Sequence, residues 1–261
     1  MTSHPDPLPP SHVLITGASS GIGAALARRY ARPGMGLSLT ARNAERLEQV
    51  AAECRAAGAD VFGQTLDVCD AAALSAWVED CDTRRPIDLV IANAGVGGER
   101  VIATAVGEPL SVAHEIVATN ILGVANTVIP LLPRFVARRK GHIAIMSSLA
   151  AYIGLPQAPL YSASKAAIRI YGDALRSLLA PNGVTVTVIC PGFVDTPMSA
   201  SVPGGRPFLW SAERAAVRIG AGLARGQREI SFPWPLAALA RLASILPPPL
   251  LDSLLARRNR I

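Results

Sequence analysis

The chain has 261 residues, half of them hydrophobic and 17% charged, which is ample for one α/β domain around a sheet buried on both faces and too apolar for a disordered chain. Its net charge of +6 comes from scattered arginines, and the clusters Arg84-Arg85, Arg138-Arg139-Lys140 and Arg257-Arg258-Asn259-Arg260 lack any nucleic-acid motif or interleaved aromatic platform, so no nucleic-acid partner is expected. Cys54, Cys69, Cys81 and Cys190 form no C-x-x-C pair or regular framework, the pattern of reduced thiols in a cytoplasmic protein.

Residues 1–10 read as a flexible, proline-rich N-terminus without the basic and apolar regions of a secretory signal. A β-type run at His12-Val13-Leu14-Ile15-Thr16 then opens an alternation of short strands and amphipathic helices. Strands are expected at 36–40, 61–66, 87–92, 142–146 and 184–189, and helices at 21–32, 44–57, 71–80, 111–139 and 160–180. Such alternation predicts βαβ units: one Rossmann-type, doubly wound parallel sheet of about seven strands with helices on both faces, spanning 11–232. A Gly/Pro/Ser-rich loop at 196–210 falls where substrate would be read, a helix at 211–225 has Ser211 as N-cap, and a strand at 229–232 precedes an apolar C-terminal extension, 233–261.

Directly after the first strand stands Thr16-Gly17-Ala18-Ser19-Ser20-Gly21-Ile22-Gly23, opening into a helix. Glycines let backbone approach a pyrophosphate, and a helix start offers it free N–H groups and a positive dipole end. Further on, Tyr161-Ser162-Ala163-Ser164-Lys165 puts a phenol and an ammonium on one helical face. A cation there favours the phenolate and lowers a tyrosine pKa that is otherwise about 10.

The Gly-x-x-x-Gly-x-Gly spacing and the Tyr-x-x-x-Lys pair resemble the short-chain dehydrogenase/reductase family, and the likeness covers roughly residues 13–198. Its further marks follow in order at strand ends: Asp67-Val68, Asn93-Ala94-Gly95 and Pro191-Gly192. The resemblance implies a cofactor site made by Gly17, Ser19, Ser20, Gly21, Ile22, Gly23, Arg42, Asp67, Val68, Asn93, Ala94, Gly95, Tyr161, Lys165, Pro191, Gly192, Val194 and Thr196. It implies a catalytic set of Asn120, Ser148, Tyr161 and Lys165, with Ser147 as the neighbouring alternative to Ser148. Asn120 would help hold a water near the lysine, or satisfy a helix irregularity, or both.

The second strand ends Leu39-Thr40-Ala41-Arg42, with no acidic residue for the ribose hydroxyls of NAD and a guanidinium suited to a 2′-phosphate, so NADP(H) is expected over NAD(H). The alternative is a solvated arginine at a helix entrance, and Ser20 stands where many NADP-dependent members carry a basic residue. The expected activity is hydride transfer between nicotinamide and a carbonyl or alcohol. The expected substrate is neutral or hydrophobic, because the loop has few charges besides Arg206. A catalytically silent scaffold or redox-sensing regulator is the other reading. No metal site is expected from the scattered histidines.

The family's habits imply a homodimer or homotetramer through the two long helices. Residues 236–246 and 250–256, broken by prolines and followed by the terminal arginines, would fold over the cleft, pack on another subunit, or lie on anionic lipid at the inner face of a membrane. No run of consecutive apolar residues reaches the ~18 to 20 that a spanning helix needs.

Overall fold

A computed structural model describes residues 10–98, 102, 107–202, 205–247 and 249–251. The expectations for residues 1–9 and 252–261 lie outside them.

The central strands are β1 (His12–Thr16), β2 (Gly36–Ala41), β3 (Asp60–Thr65), β4 (Leu89–Ala92), β5 (Gly141–Met146) and β6 (Val184–Pro191). A two-residue ribbon, β7 (Val194–Asp195) with β8 (Trp210–Ser211), precedes the edge strand β9 (Glu229–Phe232). All seven main strands are parallel, in the order β3-β2-β1-β4-β5-β6-β9. The chain therefore winds outward from β1 in one direction and restarts at β4 in the other, which leaves a crevice beyond the carboxyl ends of these two strands.

Burial on both faces follows from the alternation along each strand. Val13 and Ile15 of β1 pack with α1 (Gly21–Tyr30), α2 (Ala44–Ala56) and α9 (Ala212–Ala224). Leu14, between them, points into the opposite layer with α3 (Ala71–Arg84), α5 (Gly123–Val128), α6 (Leu132–Ala137) and α7 (Pro159–Leu179). α4 (Leu110–Val117) leads into that layer, α8 (Pro197–Ala200) lies in the 196–210 loop, and α10 (Trp234–Ala243) follows β9.

The helix expected at 111–139 is broken. α4 runs into a π-helical turn at Ala118–Leu122, then α5, a 3-10 turn at Ile129–Leu131, and α6. Pro130 and Pro133 supply no N–H for a continuous ladder, and Gly123, whose Cβ would lie 2.6 Å from Val68, lets the segment press onto the start of the third crossover. By length and composition Leu110–Ala137 is apolar enough to cross a membrane, with an 18-residue stretch of mean hydropathy 1.6. Here its apolar side chains Val124, Val128, Leu131 and Phe135 are packed under the sheet instead.

At the opposite end of the sheet polar groups are paired. Asp82 is gripped by Arg138 at 2.8 Å and 2.9 Å, and His142 Nε2 meets Thr187 Oγ1 at 2.8 Å. Because that hydroxyl donates to the Gln227 carbonyl, the imidazole Nε2 is the donor, and burial, which pulls the ring down to about 4, keeps it neutral.

Candidate active site

The crevice is built first by glycine. Gly17 has φ +68°, and a Cβ on it would fall 2.8 Å from Ala94 Cα, while one on Gly23 would fall 2.2 Å from the Gly17 oxygen. Only glycine permits this approach between the turn, α1 and the end of β4. Asn93 braces it: its Nδ2 donates to the Thr16 and Gly17 carbonyls at 3.0 Å and 3.2 Å, and Thr16 Oγ1 accepts from the N–H groups of Asn93 and Ala94. Ser20 precedes α1 without capping it through its side chain. The first-turn N–H groups, which have no partner inside a helix, are therefore offered to the crevice, and the cradle fits a dinucleotide pyrophosphate.

Arg42 follows β2, half-exposed, with Nη1 3.9 Å from both Asp67 Oδ2 and Glu115 Oε1. Ala41 beside it is buried, and Asp67 uses Oδ1 to accept the Cys69 N–H at 2.9 Å.

β5 is followed by Ser147 and Ser148, which the extended chain sends different ways. Ser147 is buried and donates to the Lys165 carbonyl at 2.8 Å, which fastens α7 to the sheet. Ser148 faces the cleft, accepts the Ala150 N–H at 3.1 Å and reaches the Tyr161 hydroxyl. Lys165, one turn after Tyr161, is buried with Nζ 3.1 Å from the Met146 carbonyl and 5.8 Å from the centre of the Tyr161 ring.

Asn120 sits in the π turn, fully buried, with its amide spent on two elements. Oδ1 accepts the Val96 N–H at 2.8 Å, and Nδ2 donates to the Val96 carbonyl at 3.1 Å and to Ser164 Oγ at 3.2 Å. A Cβ on Gly95 would lie 3.1 Å from Asn120 Oδ1 and 3.4 Å from Lys165 Nζ, so the amide and the ammonium face each other across that glycine.

The charges differ from the sequence-based expectation. Burial pushes the Tyr161 phenol up, against an opposing hydrogen bond from Ser148, and burial pulls the Lys165 ammonium down to about 8, partly offset by the Cys190 thiol. The lowering of the phenol by its lysine is not seen in the protein alone, because both groups are buried where each charge is costly.

The short chain dehydrogenase family model matches residues 11–206. The chain belongs to the short-chain dehydrogenase/reductase family. An oxidoreductase of Myxococcus xanthus (strain DK1622) is 41% identical over 248 residues, 95% of this chain and 96% of that one. Among solved structures, an actinorhodin polyketide ketoreductase with NADPH is 27% identical with a TM-score of 0.79, covering 87% of this chain and 97% of its own. A Burkholderia phymatum family member in complex with NAD is 25% identical with a TM-score of 0.81, covering 89% and 92%. As a member of the family the protein is an NAD(P)-dependent oxidoreductase acting on CH–OH and C=O groups.

In this short-chain dehydrogenase/reductase the crevice is a cleft of about 980 Å³. Gly17, Ser19, Ser20, Gly21, Ile22, Arg42, Asp67, Val68, Asn93, Ala94, Gly95, Pro191, Gly192, Val194 and Thr196 line it, as do Ser148, Tyr161 and Lys165. Gly23 and Asn120 are not on its wall: the one packs on Gly17 and the other holds Val96 from behind. Val194 and Thr196 are held by Ser199, whose hydroxyl donates to the Val194 carbonyl at 2.5 Å and whose N–H donates to Thr196 Oγ1 at 3.2 Å. Of the readings open for residues 236–246, covering the cleft matches the far arm, where Leu236, Leu239 and Ala240 of α10 face Leu149, Ile153 and Leu155; sequence reasoning left the last three unassigned. It also gave no sign of Tyr152, Glu229 and Arg241, which bond to one another beside that arm.

Proposed function

We propose that the protein is an NADP(H)-dependent reductase or dehydrogenase of neutral or hydrophobic carbonyl compounds and their secondary alcohols. The observation that carries this reading is the convergence of Ser148, Tyr161 and Lys165 on one wall of a cleft whose other end holds the glycine turn and Arg42. Bound NADP(H) supplies or accepts the hydride.

The chain's own residues do the rest. Ser148 hydrogen-bonds the substrate oxygen and orients it, and Tyr161 donates the proton to that oxygen in reduction or removes it in oxidation. Burial keeps the phenol protonated at neutral pH, so the donor form stands ready for reduction. Lys165, when charged, favours the phenolate left behind, and Asn120 across Gly95 supports a relay that returns the proton from solvent. The α1 N-terminus with Ser19, Ser20, Gly21 and Ile22 holds the pyrophosphate, and Asp67, Val68, Asn93, Ala94 and Gly95 line the adenosine and ribose path. Arg42 takes the 2′-phosphate. Pro191, Gly192, Val194 and Thr196 hold the carboxamide end, where Thr196 accepts from Ser199 and keeps its own proton to donate.

Initial rates with NADPH and with NADH against a panel of neutral ketones and aldehydes test the reading. Turnover faster with NADPH is expected; binding of NADPH without turnover of any carbonyl would favour the silent scaffold.

A further inference from the structure

Beyond Ser148 the cleft continues as an arm between residues 149–155 and α10. The only charged side chains among the residues described on the whole cleft wall are Arg42, Asp67 and Lys165, and all three lie at its cofactor and catalytic parts. The far arm is apolar from Leu149 and Leu155 to Leu236 and Ala240, and Leu239 carries it out to the surface, where it is 61% exposed. An ionised substituent entering there would lose its water and gain no partner, whereas a hydrocarbon substituent loses nothing.

The position of this wall is set by one carboxylate. Glu229 on β9 accepts from the Tyr152 hydroxyl at 2.5 Å, from Arg241 Nη2 at 2.5 Å and from Ser231 Oγ. Tyr152 ends the turn that follows Ser148, and Arg241 stands on α10 directly after Ala240, so the three side chains tie both sides of the arm to the same strand. Burial and the neighbouring carboxylate hold the Tyr152 phenol up at about 12, so it remains a donor throughout the ordinary pH range. Arg241 also stacks 5.7 Å from the centre of the Tyr152 ring.

From this geometry we infer that the arm binds an extended, uncharged hydrocarbon substituent of the carbonyl substrate, that Leu236, Leu239 and Ala240 of α10 set the specificity for it, and that Tyr152–Glu229–Arg241 is the positioning latch for that wall. The inference rests on the reductase reading above but is separable from it.

The test is a series of methyl ketones from hexanone to dodecanone, followed in two ways: turnover with NADPH, and binding to the NADP+-loaded protein by saturation-transfer NMR. Each added methylene that reaches the wall should raise kcat/KM and tighten binding by up to about fourfold. Leu239→Asp, at an exposed position that tolerates a charge, and Leu236→Asp should each flatten this dependence, with a loss that grows along the series to tenfold or more for dodecanone. Arg241→Gln should raise KM for the long ketones far more than it lowers kcat, and Arg241→Lys should restore most of the loss; a merely structural role would lower both ketone ends alike. Turnover that is independent of chain length and indifferent to Leu236→Asp and Leu239→Asp overturns the inference and leaves the reductase standing. Chain-length-dependent binding that both variants abolish, with no turnover, supports the wall while sinking the reductase reading. Absence of both overturns the two together.

Discussion

The proposed preference for NADP(H) rests on Arg42, whose present contacts are weak enough to be given up. Its guanidinium lies 3.9 Å from Asp67 and from Glu115 while half-exposed, and ion pairs of that length and exposure contribute about 0–1 kcal/mol each. A charge-assisted, two-pronged contact with the 2′-phosphate is worth about 1.5–3 kcal/mol. The difference, at most about 3 kcal/mol, predicts kcat/KM up to about 100-fold higher for NADPH than for NADH. Arg42→Ala removes the attraction and should bring the two cofactors close to parity. Arg42→Asp adds a carboxylate beside Asp67 that repels phosphate and accepts the ribose hydroxyls, so the preference should invert. Initial-rate measurements at low and high salt check both steps, because the preference at an exposed arginine should shrink as ionic strength rises. Equal efficiency with both cofactors in the unaltered enzyme, or a preference that survives Arg42→Asp, refutes the assignment.

Tyr161→Phe should fold and bind NADPH as before while turnover falls at least about 100-fold, since only the proton donor is lost; residual activity near the unaltered level moves the acid elsewhere. His142, whose imidazole burial pulls down to about 4 from 6.5, is neutral in the fold, so the unfolded chain takes up the proton first and stability drops as the pH falls from 6.5 towards 4. The loss from this group is at most about 3 kcal/mol, and urea unfolding across that range should show it shrinking in His142→Gln. Leu122, Ile129, Ile170 and Leu178 lie exposed on the 110–137 run and α7, which should form a subunit interface; a monomer in sedimentation at micromolar concentration contradicts this.

The parts legible in the sequence are those whose geometry is local. Gly17, Gly21 and Gly23 sit within one strand–turn–helix step, and Tyr161 and Lys165 within one helical turn, so spacing alone put the glycines in one turn and the phenol and ammonium on one helical face. The apolar pattern of 110–137 was equally visible but could not announce its breaks, because the π turn answers to Asn120 reaching back 24 residues to Val96. Nor could spacing give the charge of the Tyr161–Lys165 pair: four residues of separation fix their proximity, while their pKa directions come from burial contributed by the whole cleft wall. Chemistry and specificity are therefore written differently into this fold. Proton transfer needs two or three groups that one helix and one strand end can hold, so its signature survives in short motifs. The substrate arm needs surfaces from residues 149–155 and from α10, joined through Glu229 by its bonds to Tyr152, 77 positions away in sequence, and to Arg241. Its residues are ordinary leucines and alanines, which carry no motif; the sequence left that helix free to cover the cleft, pack on another subunit or lie on lipid, and only the folded chain shows Arg241 tying it to Glu229 beside the cleft.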